Sequence, residues 1–225
     1  MAAGFRPTRV YLEVGAKRVF ACSLDWPGWC RSGKTEDAAL EELARYVERY
    51  SPVASAAGVP FAPGTEPRFD VVERVAGNAT TDFGAPGVVP QVDSEPMTTA
   101  EARRQAALVA AAWTVLDEVA TGAPETLRKG PRGGGRDRDP MLEHVLGAET
   151  SYARTLGVKH RQPARKETAA IKALRGELIE VLQAARAGVA LTPKGWPPRY
   201  AARRIAWHVL DHAWEIDDKS DREDG

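Results

Sequence analysis

Two of the chain's four histidines stand four residues apart in Trp207-His208-Val209-Leu210-Asp211-His212. On an α-helix that spacing stacks both rings on one face. Ala201, Ile205, Val209 and Ile216 populate the same side, so the imidazoles are expected to point inward rather than to open water. His144, in Met141-Leu142-Glu143-His144-Val145-Leu146, lies on the inward face of a second apolar-periodic segment. Three inward imidazoles from two helices can meet around one cation, at about 2.0–2.1 Å from it if the ion is zinc. A buried histidine is also commonly a hydrogen-bonded core residue. The i, i+4 pair weighs against that, because each ring has two nitrogens to satisfy and few polar neighbours are at hand. His160, in Lys159-His160-Arg161, reads as an exposed loop residue.

Charged side chains supply the rest of a reacting centre. Glu215 follows His212 by three residues and can orient a ligand, join the coordination sphere or act as a base. Glu149 is the other candidate catalytic carboxylate, and Asp211 shares its ambiguity; the alternative for each is a salt bridge between helices. Asp217 and Asp218 read as part of a solvated tail. The segment from Arg128 to Arg138 carries five cations among glycines but lacks the GxxxxGK[ST] spacing of a phosphate-binding loop. It enters the His144 helix at its N-terminus, where arginine forks, backbone N–H groups and the helix dipole all favour an anion. Arg132, Arg136 and Arg138 are therefore the candidate cofactor-binding residues, unless the loop is only solvated. Gly195-Trp196-Pro197-Pro198 leads into the HxxxH helix and is placed to wall the site, whereas Trp207 and Trp214 read as core.

These groups need rigid elements behind them. The period is two in the first third of the chain: Val10, Leu12 and Val14 alternate with Arg9, Tyr11 and Glu13, and Phe20, Cys22 and Leu24 continue the pattern after Gly15-Ala16-Lys17. That is a hairpin. Asp25-Trp26-Pro27-Gly28-Trp29 breaks the strand, since proline lacks a ladder donor. Thr35 can cap a helix in which Leu40, Leu43, Val47 and Tyr50 recur, and Phe69–Val75 alternates as a further strand. Residues 76–96 hold Gly, Pro, Ser, Thr and Asp without a sustained period and read as a linker. Beyond it the period is 3.6. Thr98 with Glu101 makes a capping box for a helix ending near Gly122, and Asp139-Pro140 starts another that runs to Gly157. A third spans about 165–187, with Ile171, Leu174, Leu178 and Leu182 on one side, and a fourth begins near Pro198. The expected fold class is α+β: a small N-terminal βαβ-type module over 1–75, the linker, an all-α four-helix bundle over 97–218, and a polar tail at 219–225.

Composition narrows the function. With 31 Lys+Arg against 31 Asp+Glu, the net charge of zero gives no strong nucleic-acid signal. No apolar run approaches the ~20 residues of a membrane helix, and the N-terminus lacks a secretory apolar stretch, so a cytoplasmic location without membrane attachment is expected. Two cysteines, Cys22 and Cys30, cannot make a disulfide scaffold, and their spacing of eight is not a usual zinc pair.

Residues 97–218 resemble the DinB-like metal-binding four-helix bundles, a family that includes bacterial thiol-dependent S-transferases and isomerases such as the mycothiol-dependent maleylpyruvate isomerase-like proteins. The resemblance is carried by Leu142-Glu143-His144-Val145-Leu146-Gly147-Ala148-Glu149 and by His208-Val209-Leu210-Asp211-His212. It implies that His144, His208 and His212 bind a divalent metal, zinc or else nickel, with water or a low-molecular-weight thiol completing the shell. The first 75 residues resemble HicB-like antitoxin domains, through Asp25-Trp26-Pro27-Gly28 and Gly33-Lys34-Thr35-Glu36-Asp37-Ala38 entering a helix after a hairpin. That resemblance implies a protein partner for the N-terminal module. The leading expectation is a metal-dependent thiol S-transferase or isomerase acting on a small-molecule substrate. A metal-dependent hydrolase and a non-enzymatic, partner-binding regulatory protein with a structural metal are the alternatives, and a homodimer is left open.

Overall fold

The computed structural model describes residues 7–63, 67–130 and 134–220. It is a mixed α+β fold, with an N-terminal four-stranded sheet followed by helices. Strands β1 (Thr8–Val14), β2 (Val19–Ser23), β3 (Cys30–Gly33) and β4 (Phe69–Ala76) lie in the order β3-β2-β1-β4. The expected hairpin forms: β1 and β2 are antiparallel, with Tyr11 opposite Cys22 and Glu13 opposite Phe20. β3 continues antiparallel to β2, and β4 runs parallel to β1. The sequence did not announce β3, because four residues reading Cys-Arg-Ser-Gly show no alternation.

The helical run expected after Thr35 is two helices, α1 (Glu36–Arg45) and α2 (Val47–Ala56). Thr35 caps the first through its side chain, as its position suggests. Tyr46 interrupts the run with φ −89° and ψ 7°, a change at a single residue that a count of apolar spacings does not register. One face of the sheet, with Val10, Leu12, Val19 and Ala21, joins Ala39, Leu43, Tyr50 and Val53 in a core continuous with the later helices. Trp29 anchors this face by donating Nε1–H to the Leu43 carbonyl at 2.9 Å.

The other face is covered too, which the alternation does not foresee. Tyr11 and Glu13, which alternate with Val10 and Leu12, are buried as well. Glu13 accepts hydrogen bonds from Thr81 Oγ1 and from the backbone N–H groups of Gly87 (2.8 Å) and Val88 (3.0 Å). Glu73 on β4 likewise accepts from Gln91 N–H (2.7 Å) and Val92 N–H (3.0 Å). Two sheet carboxylates thus hold the stretch 76–96. It contains α3 (Ala79–Phe83), capped at both donors by Asn78 and Thr81, and a 3-10 turn at Gln91–Ser94 whose Asp93 is fully buried against Arg203. Turn-forming composition at 76–96 is real, but the backbone N–H groups of Gly87, Val88, Gln91 and Val92 are satisfied by the side chains of Glu13 and Glu73 instead of by water.

Four long helices complete the fold: α4 (Thr99–Gly122), α5 (Arg138–Thr155), α6 (Thr168–Ala184) and α7 (Pro198–Lys219). Thr98 and Glu101 form the expected capping box on α4. α5 begins before Asp139-Pro140, with Asp137 at its N-cap. Asp139 instead pairs with Arg138 (2.9 Å) and Arg165 (2.6 Å). α4 packs along α7, α6 and α2, and α5 packs mainly against α7. Asp217 and Asp218, expected in a solvated tail, form the last turn of α7 and pair with Arg49 of α2 at 3.0 and 2.9 Å. Gly28, at φ +91°, sits where a Cβ would lie 2.5 Å from Leu210 Cδ1, so only glycine lets this turn press on α7. No described helix is long and apolar enough to cross a membrane.

Candidate metal centre

α5 and α7 position the three histidines. The apolar face of α7, with Ala201, Ile205, Val209 and Ile216 all buried, turns His208 and His212 into the interior, and α5 packs against it with His144 on the contacting side. The ring centroids form a triangle: 5.1 Å from His144 to His208, 5.0 Å from His144 to His212 and 4.7 Å from His208 to His212. One ring nitrogen of each lies within 4.8 Å of the others, close enough for the three to hold one metal ion. The convergence expected from the i, i+4 pair and the separate His144 is therefore present.

The electrostatics favour the neutral form of His144 and His208, the form that donates a lone pair to a metal. Burial first, then the charges of His212 and Arg204, drive the pKa of His208 down to about 2. Burial and the neighbouring His212 lower that of His144, with Arg136 adding to the effect. His208 Nδ1 is buried and has no hydrogen-bond partner, an orphaned polar atom of the kind a bound ion or water satisfies. His212 Nδ1 meets Glu215 Oε2 at 2.9 Å, which fixes the ring and leaves Nε2 as the nitrogen able to bind a metal. The hydrogen bond from His212 and the pairing with Lys219 hold the Glu215 carboxyl down at about 2, so it stays ionised. Of the roles open to Glu215, orienting a ligand is the one this geometry serves.

The other sequence candidates lie elsewhere or at the margin. Glu149 is buried in an ion pair with Arg175 of α6 (3.1 Å), on the side of α5 away from α7. It stands five positions after His144, and that spacing carries it round the helix. Asp211 pairs with Arg31 at 2.9 Å, taking the salt-bridge alternative. Arg138 is tied to Asp139 and to the Ala123 carbonyl at 2.9 Å each, which fastens the start of α5 to the end of α4. Arg136 is exposed, and its charge acts on both His144 and His208. Arg132 lies outside the described residues. His160 sits in the α5–α6 connection as expected, but half-buried, 2.7 Å from Glu177.

Sequence reasoning missed two neighbours. Tyr152 packs edge-on to His208 with centroids 5.7 Å apart, and Trp196 packs on Tyr152 at 5.0 Å, so the Gly195–Pro198 segment walls the site through an intermediary. Arg204 lies over Trp207 (4.6 Å) and Tyr152 (5.3 Å), with Nη1 buried and without a partner. The signal for Arg204 was available: it stands four residues before His208, one more step along the same helical row. No family model matches the chain, and it has no significant match among curated proteins or solved structures.

Proposed function

We propose that the protein binds one divalent metal ion, zinc foremost, through His144, His208 and His212, and that α4–α7 act as a DinB-like four-helix bundle catalysing thiol transfer or isomerisation on a small-molecule substrate. The observation that carries this reading is the triangle of three imidazoles, one with an orphaned nitrogen, contributed by two helices. Three protein ligands leave a coordination position free, the pattern of catalytic sites; closed structural sites use four. When bound, such a cation supplies Lewis acidity, favouring the anionic form of a thiol or of water at neutral pH.

The chain's own residues do the rest. Glu215 holds His212 in one tautomer and orientation. Arg136, exposed beside the rings, attracts the anionic portion of a low-molecular-weight thiol or substrate. Tyr152, packed on His208 with Trp196 behind it, shields the rings from water. The N-terminal sheet and α1–α2 form a HicB-like module that offers a surface to a protein partner.

The test starts from protein purified without a histidine tag. Its metal content is measured by mass spectrometry, and the measurement is repeated on His208→Ala and His212→Ala. About one equivalent in the wild type, lost in both variants while circular dichroism is unchanged, supports a functional centre. Metal lost together with the fold assigns a structural ion. Metal retained in both variants overturns the site. Conjugation of a thiol to a panel of electrophiles, abolished by chelator, then supports the transferase reading; hydrolysis of esters under the same conditions replaces it.

A further inference from the structure

The two cysteines are eight residues apart in sequence and have no part in the function assigned above, yet the sheet places them face to face. Cys22 on β2 is the register partner of Cys30 on β3. The adjacent pair, Ser23 and Trp29, is joined by the Ser23 N–H to Trp29 carbonyl hydrogen bond at 2.9 Å. Antiparallel ladders alternate, so Cys22 and Cys30 occupy a non-hydrogen-bonded pair, the position where opposed Cα atoms approach to about 4.5 Å. That lies within the 4.4–6.8 Å or so that a disulfide spans. The sulfurs are in contact at 2.7 Å, both unbonded thiols, and the side chains around them are Tyr11, Phe20, Leu24 and Trp207. Two sulfurs without a third ligand do not make a metal site, and among the described residues no other ligating side chain joins them.

We propose that Cys22 and Cys30 form a reversible two-electron redox site, closing to an intramolecular cross-strand disulfide by exchange with a low-molecular-weight disulfide. One protein thiolate attacks a sulfur of the small disulfide, expels one small thiol and leaves a mixed disulfide. The second protein thiol then displaces the other small thiol. The protein gives up two electrons and two protons, and the small disulfide becomes two thiols. Both sulfurs are buried, and burial pushes the Cys30 thiol well above its usual range. The void beside them, of about 10 Å³, holds no more than a water. Attack therefore waits on opening of β3, a four-residue strand at the sheet edge, and the equilibrium is the readout, not the initial rate.

The experiment places the full chain in glutathione buffers of graded reduced-to-oxidised ratio, approached from reduced protein and from protein oxidised in denaturant and refolded. Once both approaches agree, samples are acid-quenched, alkylated and digested with trypsin. Cleavage after Arg18 and Arg31 puts both cysteines in the peptide 19–31. In oxidised buffer this peptide is expected to lose both alkylation sites and to be lighter by two hydrogens; reduced buffer restores them. Cys22→Ser protein carries at most a single glutathione on Cys30 under the same conditions. Two alkylatable thiols, glutathione on each cysteine, or a cross-link between chains at the most oxidised ratio each overturn the proposal.

Discussion

At the scale of residues, the proposed centre needs rings that are uncharged and correctly turned. Glu215 does the turning, through its contact with His212 Nδ1. Glu215→Gln keeps the size of the side chain but removes the anionic acceptor. The expected result is a 10- to 100-fold loss of zinc affinity by competition with a chelating dye, with the unfolding midpoint little changed. Equal affinity in the variant excludes the orienting role. The uncharged state of His208 has its own consequence. Its folded pKa of about 2 lies below the ~6.5 of an unfolded histidine, so the unfolded chain takes up a proton that the metal-free folded protein refuses. Stability is therefore complete above about pH 6.5 and is lost as pH falls towards the folded value. The depressed Glu215 pKa acts with the same sign, but only below the ~4.5 region where unfolded carboxyls titrate. Urea midpoints of metal-free protein at pH 7.5 and about 5.5 separate the two. A drop in the wild type that shrinks in His208→Gln is the expected outcome, and identical midpoints at both pH values contradict it.

At the scale of elements, buried carboxylates do what hydrophobic periodicity cannot. Glu13 gathers one hydroxyl and two backbone donors from residues 81–88, and Asp93 meets Arg203 of α7. Hydrogen bonds to a charged group contribute about 1.5–3 kcal/mol each, and a donor left buried without a partner costs a similar amount. Glu13→Ala is expected to destabilise the protein by about 3 kcal/mol or more, and to speed amide hydrogen exchange at Gly87 and Val88 beyond the global change. Exchange at those two amides that merely follows global unfolding removes the local account. Alternation along β1 places Glu13 and Tyr11 together opposite Val10 and Leu12, as the sequence implied. That neither set meets water is decided by α7 and residues 81–93 arriving from elsewhere in the chain.

At the scale of the whole molecule, one core runs from the sheet through α1 and α2 into α4–α7. α2 packs on α4, Arg49 reaches the end of α7, and Arg31 reaches its middle. Cutting between the sheet and the helices strips apolar surface from both pieces, at about 25 cal/mol per Å² newly exposed. Residues 97–220 expressed alone are expected to show helical circular dichroism without a cooperative thermal transition, and to recover one only when residues 1–96 are supplied. A sharp, independent transition in the fragment would show that the helices stand by themselves.

The amino-acid sequence alone determined what depends on near neighbours. The β1–β2 hairpin, the Thr35 and Thr98 caps, the start of α7 at Pro198 and the stacking of His208 over His212 all follow from spacings of two to four residues, where backbone geometry leaves little choice. It also singled out His144, because an apolar period identifies the face a side chain occupies. Tertiary structure decided the rest: that Glu149 turns to Arg175 while His144 turns to α7, that Asp217 and Asp218 meet Arg49, that residues 76–96 are held down by Glu13 and Glu73, and that Cys22 faces Cys30. Each of these is a pairing between segments whose separation along the chain carries no periodic signal. A buried charge declares itself only when its partner arrives.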